Sequence, residues 1–211
     1  VTDDGQSGLN PDANVNINLS NADSYLTGSV NKTVPEGISD EVTGMNIDIS
    51  NKAAWNMTGD SFVNTANVSD GGSINVQDKV KKFDADNVAL NKGNLNIQGE
   101  NSEGAEQNIS ISKLSNDAGA INMQGSAQNL EITDLSSNNG TINMYGSNQM
   151  IAVFNDFNSN GTTINLNGEW QDINLNSMSG SGAIVKTNSL DNGVFISEKA
   201  DGTKIAVQGS S

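Results

Sequence analysis

The chain has 211 residues, of which 34% are hydrophobic and 4% aromatic, a balance suited to a narrow core rather than a broad globular one. Its formal net charge is −15 and all ten basic residues are lysines, which excludes a nucleic-acid-binding surface and direct docking on anionic lipid. Cysteine and histidine are both absent, so thiolate metal sites, disulfides, thiol catalysis and histidine-based triads are excluded with them.

Residues 1–13 are polar and rich in Gly and Asp, and read as a frayed start or partial corner. The pattern is already under way there, so the chain is expected to be a segment of a longer one. Val15, Ile17 and Leu19 alternate as a first strand. Tyr25 to Asp40 alternates weakly around Pro35 and Gly37, as a looser coil with a loop. Met45, Ile47 and Ile49 then repeat the first strand. A corner at Asn51 leads to Trp55 and Met57, then Phe62, Val68 and Gly72-Ser73-Ile74-Asn75-Val76. Gln77 to Asp86 carries Lys79, Lys81 and Lys82, a solvated corner or a docking point for an acidic partner. Val88 and Leu90 restart the pattern, followed by Gly93-Asn94-Leu95-Asn96-Ile97. Glu100 to Glu106 reads as an acidic loop, the kind of insertion where solenoids place binding loops.

From residue 108 to 184 one pattern recurs. Three apolar columns can be read down it: Ile109, Leu130, Ile151, Ile173; Leu114, Leu135, Phe157, Met178; and Ile121, Ile142, Ile164, Ile184, with steps of 20 to 22. Within each repeat apolar residues sit at i and i+2, which is strand periodicity, and no helical stripe is sustained. The expectation is an all-β, right-handed parallel β-helix with three strands per ~21-residue coil, forming a rod about 45 Å long at the strand spacing. Residues 1–178 would form the coils and 179–211 a C-terminal cap. In the cap, the runs around Val194/Ile196 and Ile205/Val207, joined by a short turn, read as an antiparallel β-hairpin covering the last open edge.

Three stretches carry a family resemblance. Ala54-Trp55-Asn56-Met57-Thr58-Gly59-Asp60-Ser61 is similar to a Trp-x-Val-x-Gly-Asp-Ser coil. The Gly-Thr-Ile-Asn-type half-coil recurs at 72, 93, 119, 140 and 161. Gly180-Ser181-Gly182, Asn192-Gly193-Val194-Phe195-Ile196 and Ile205-Ala206-Val207 follow the layout of an autochaperone segment, with Asn192-Gly193-Val194-Phe195 where that segment has Asp-Lys-Leu-Val. Together they resemble the passenger domain of an autotransporter of the pertactin-like, self-associating adhesin family. The resemblance covers most of residues 45–211. It implies a bacterial cell-surface or extracellular location reached through the periplasm, a role in adhesion, autoaggregation or biofilm, and a folding cap including Gly180, Gly182, Val194, Ile196, Ile205 and Val207. It also implies partners: the chain itself on neighbouring cells, a host surface protein or glycan, and an outer-membrane β-barrel outside these residues.

Candidate chemistry is sparse, and neither an enzyme nor a cofactor or metal is expected. The close aspartate pairs, Asp84/Asp86 and Asp3/Asp4, read as loop residues rather than as the facing carboxylates of a glycosidase. A polysaccharide-active β-helix and a spacer for an upstream enzyme remain as alternatives. The most regular polar feature is the column Asn75, Asn96, Asn122, Asn143, Asn165, flanked by Thr141 and Thr162. It reads either as a structural amide ladder or as a self-association face. Trp170, at a coil corner, either closes the core or offers a ring for sugar stacking.

Overall fold

A computed structural model describes residues 14–31, 44–99 and 106–209. Among them the regular structure is sixteen strands and no helix. One path of hydrogen-bonded neighbours runs β1 (Val15–Leu19), β3 (Met45–Ile49), β5 (Ser61–Ser69), β7 (Lys82–Asn91), β9 (Gln107–Asp117), β11 (Gln128–Asn138) and β13 (Gln149–Leu166). A second runs β2 (Tyr25–Thr27), β4 (Ala54–Met57), β6 (Ser73–Val76), β8 (Asn94–Ile97), β10 (Ala120–Met123) and β12 (Thr141–Met144), and also ends on β13. Every pairing is parallel. Each coil therefore uses the one below it as its hydrogen-bonding template, and the chain is a parallel β-helix. The longer strands bend midway into two sides, and the short strands form the third.

The alternation works as the i, i+2 spacing requires. In β6, β8, β10 and β12 the residues alternate between half-buried outside and fully buried inside. Ile109, Leu130, Ile151 and Ile173 lie in register above one another, as do Leu114, Leu135, Phe157 and Met178. All eight are buried, each burial contributing about 1.5–3 kcal/mol to the hydrophobic term. Near the N-terminal end Trp55 fills the tube, its Nε1 donating to the Gly28 carbonyl at 3.0 Å and its ring edge-on to Phe83 at 5.8 Å.

The third column holds through Ile121, Ile142 and Ile164 but continues to Val185 rather than Ile184. Val185 is buried and Ile184 is 40% exposed. A one-residue slip in a strand exchanges its faces, which is the whole difference.

The C-terminal runs are strands as expected, β15 (Gly193–Lys199) and β16 (Lys204–Gly209), and they cover the last coil. Their pairing differs from the expected antiparallel hairpin. Both lie parallel on β14 (Gln171–Thr187), as Ile173 with Val194 and Val185 with Val207, and they do not pair with each other. The cap is one further turn of the same helix. Its inward residues Val194, Ile196 and Ile205 pack against the core from one side only.

A corner of form Gly-x-x-Gln builds a ladder inside the tube. Gln107, Gln128, Gln149 and Gln171 are all buried. The Nε2 of Gln128 donates to Gln107 Oε1 at 2.9 Å, that of Gln149 to Gln128 Oε1 at 3.0 Å, and that of Gln171 to Gln149 Oε1 at 2.9 Å. The glycines opening these corners stack so closely that a Cβ at Gly146 would land on the Gly125 carbonyl oxygen. That contact explains why no other residue is accommodated there.

Candidate functional site

The short strands and the end of β13 carry the asparagine column on their outer face, half-buried and in register. Each Nδ2 donates to the Oδ1 of the asparagine one coil earlier: Asn96 to Asn75 and Asn122 to Asn96 at 2.8 Å, Asn143 to Asn122 and Asn165 to Asn143 at 2.7 Å. The ladder begins one coil sooner than the sequence pattern suggested, because Asn75 also donates to Asn56 at 2.9 Å. It stops where Lys186 takes the next position. An amide has two N–H groups and two acceptor lone pairs, so every inner rung keeps one donor and one acceptor for a partner or for water.

Thr141 stands on this face beside the ladder, but Thr162 does not. It is fully buried, with its Oγ1 donating to the Ser137 carbonyl at 3.2 Å. The residue in register with Thr141 is Thr163. The step is 22 on both sides of this corner, Asn138 with Asn160 and Thr141 with Thr163, so Gly161 takes the place of Asn139 and Thr162 the inward place of Gly140.

In the cap, Gly180 and Gly182 have φ of 84° and 116°, and a Cβ at Gly182 would collide with the Lys204 backbone. They let β14 round its corner beneath β16. Val194, Ile196 and Ile205 are half-buried, whereas Val207 is 68% exposed at the end of the core column. Asn192 stands above the last glutamine of the ladder: its Oδ1 accepts from the Gln171 backbone N–H at 3.0 Å and its Nδ2 donates to the Gly168 carbonyl at 2.9 Å.

Asp84 and Asp86 lie on β7 and not in a loop: Phe83 and Ala85 are buried on either side of Asp84, and β7 pairs with β5 and β9 on both sides of the phase break at Asp86 and Asn87. Asp84 pairs with Lys82 at 2.7 Å, and Asp86 accepts from Asn64 Nδ2 at 2.7 Å, so each is held by a neighbour on the coil face. That ion pair raises the Lys82 pKa, chiefly through the hydrogen bond to Asp84. Lys79, Lys81 and Lys82 are exposed. Trp170 takes a left-handed φ of 57° and is 59% exposed, so its ring does not close the core. Asp3, Asp4 and most of the acidic loop, residues 100–105, lie outside the described residues. Among the described residues no group of three or more His, Cys, Asp or Glu side chains could hold a metal ion.

The internal glutamines escaped the sequence reading because a glutamine pattern is ordinarily an outward one. The signal was present in Gly125-Ser126-Ala127-Gln128, Gly146-Ser147-Asn148-Gln149 and Gly168-Glu169-Trp170-Gln171, spaced by the same 21 and 22 residues as the core. No protein-family model, curated protein or solved structure matches the chain.

Proposed function

We propose that the chain is a non-catalytic structural and adhesive module, the β-helical stalk of a secreted bacterial adhesin of the autotransporter type. Its stack of amides from Asn56 to Asn165, bonded along the rod yet each with hydrogen-bonding capacity to spare, carries the reading. Because an amide is both donor and acceptor, such a face is complementary to a second copy of itself, as an isologous contact requires. Thr141 and Thr163 widen the strip with hydroxyls. The regular face and the cysteine-free composition, which leaves no disulfide to lock the chain during passage through an oxidising compartment, both support export to the cell surface. The terminal turn would serve as the folding start, since coils gain stability from their neighbours and a covered end lets the stack propagate.

The experiment is a clumping assay on cells displaying the chain, with Asn122, Asn143 and Asn165 each replaced by Lys. Loss of clumping with an unchanged circular dichroism spectrum supports the proposal. Clumping equal to that of the parent removes the face from consideration.

A further inference from the structure

Where the long strands bend, the outer surface is concave. One cavity of about 440 Å³ lies along the bend and is lined by Asn87, Lys113, Ser115, Asp134 and Asp156 among others. A second, of about 270 Å³, is lined by Phe154, Asn174, Asn176, Phe195 and Ser197 among others. Both are lined by β13, one through Phe154 and the other through Asp156. From β7 through β9, β11, β13 and β14 to β15, the residues around the bend occupy six successive strands. At about 4.8 Å per rung the two cavities, taken end to end as one trough, span about 24 Å parallel to the rod.

Phe154 and Phe195 are outward-facing and are 54% and 59% exposed. Their exposure has local causes. Val153 pairs with Leu175 and Asp156 with Ser177, so two residues of β13, Phe154 and Asn155, face the single Asn176 of β14. This is a one-residue β-bulge, a device that re-aims a side chain. The Phe195 ring lies over Gly193, where a Cβ would meet its Cε2 at 2.5 Å. Asn174 is in register with Phe195, so the rings flank a strip of amides two rungs apart. On the other wall Asp156 is fixed by hydroxyls, with Ser177 Oγ donating at 3.0 Å and Ser179 Oγ at 2.5 Å.

We propose that this trough binds an extended, uncharged glycan chain laid along the rod. Apolar ring faces stack on sugar rings, and carboxylates and amides take the sugar hydroxyls, so the walls supply both halves of that recognition. The length of the trough suits a linear polymer rather than a single sugar. Asp134 and Asp156 outnumber Lys113 in the lining, and with a net charge of −15 around them polyuronates and sulfated chains are repelled, which favours a neutral ligand. This site is on a different face from the asparagine ladder and does not depend on it.

The test is isothermal titration calorimetry of the whole chain with β-1,4-linked hexamers of glucose, xylose and N-acetylglucosamine, alongside heparin and polygalacturonate. The expected result is binding of at least one neutral hexamer, weaker for its dimer and insensitive to salt. Phe154→Ala with Phe195→Ala, and separately Asp134→Asn, should each weaken it at least tenfold with an unchanged circular dichroism spectrum. The Asn143→Lys chain should bind as the parent does. No binding of any neutral hexamer, binding of the polyanions alone, full affinity in the double phenylalanine variant, or occupation of the trough by a protein partner alone would each overturn the proposal.

Discussion

Two amide ladders run along this rod with nearly the same geometry, one inside and one outside, and they should differ sharply in what they contribute. Gln149→Ala is the informative perturbation. Its buried Nε2 donates to the Gly125 carbonyl at 2.6 Å and to Gln128 Oε1 at 3.0 Å, and its Oε1 accepts from Gln171 Nε2 at 2.9 Å. After truncation Gln128 Oε1 still has the Gly125 amide and Gln171 Nε2 still has the Gly146 carbonyl. The Gly125 carbonyl loses its side-chain donor in a site closed to water. One buried group left unmet costs about 1–3 kcal/mol. The unfilled volume adds to this, giving a destabilisation of about 2–4 kcal/mol. Asn143→Ala breaks two bonds of 2.7 Å on the outer ladder, but water reaches that half-buried face and takes over, so the expected cost is about 1 kcal/mol or less.

Guanidinium unfolding followed by circular dichroism, with the fluorescence of buried Trp55 as a second probe, measures both variants. Coincidence of the two probes must be checked, since a stack of coils can melt in parts. Equal losses for the two variants would refute the reasoning, because it rests entirely on the difference in access to water.

The remaining expectations concern single positions and the cap. Thr162→Lys places a charge inside the tube and should cost about 3 kcal/mol or more, whereas Thr163→Lys, one residue on, should stay within about 0.5 kcal/mol in the same unfolding assay. The Lys82 pKa is raised by Asp84, so the pair's contribution is fully present below the ordinary lysine value of 10.5 and is lost as pH rises through the folded value. Lys82 is largely solvated and Asp84 is about a third exposed, so the pair is screened; Asp84→Asn should leave stability at pH 7 unchanged within error and should flatten only the alkaline limb of a stability–pH curve. Removing residues 193–209 uncovers the edge of β14 together with Ile173, Leu175 and Val185. Refolding yield by light scattering should then fall, and normal refolding of the remainder would count against a folding role for the cap.

The sequence showed the strand columns plainly because each rung exposes one apolar residue to the tube and one polar residue to water. Leu114 over Leu135 and Ile121 over Ile142 followed directly from that. The pairing partner of a run is a different matter. Val194/Ile196 and Ile205/Val207 have the same two-residue alternation whether they pair with each other or with β14, and only the steps of 21 and 22 from Ile173 and Val185 tell the cases apart. Ile184 and Thr162 were misplaced for a related reason. Both are counted from the nearest glycine, but Gly161 and Gly182 each sit one position before the place that Gly140 holds, and an error of one exchanges inside for outside. The bend itself marks the sequence, as a step of three from Ile111 to Leu114, Ile132 to Leu135 and Leu175 to Met178, but a step in the core does not say that the outer surface beside it is hollow.

The extra residue in β13 gives the sharpest way to join fold to function. Ile132 to Leu135 below and Leu175 to Met178 above are each three residues apart, while Val153 to Phe157 between them is four. Deleting the exposed Asn155 would make all three coils equal. Phe154 would then follow Val153 as Asn176 follows Leu175, and Asp156 would keep its place between Asp134 and Ser177. Nothing in the core is lost, because Val153 and Phe157 remain in their columns, so stability should be unchanged or slightly higher by denaturant unfolding. The Phe154 ring, no longer lifted by the bulge, should lie flatter against the sheet, and neutral-hexamer affinity should fall toward that of Phe154→Ala. A shortened chain that folds and binds as the parent does would show the bulge to be a tolerated insertion, with no part in shaping the trough. A chain that fails to fold would mean that the coil needs its twenty-second residue for the core itself, against the register described here.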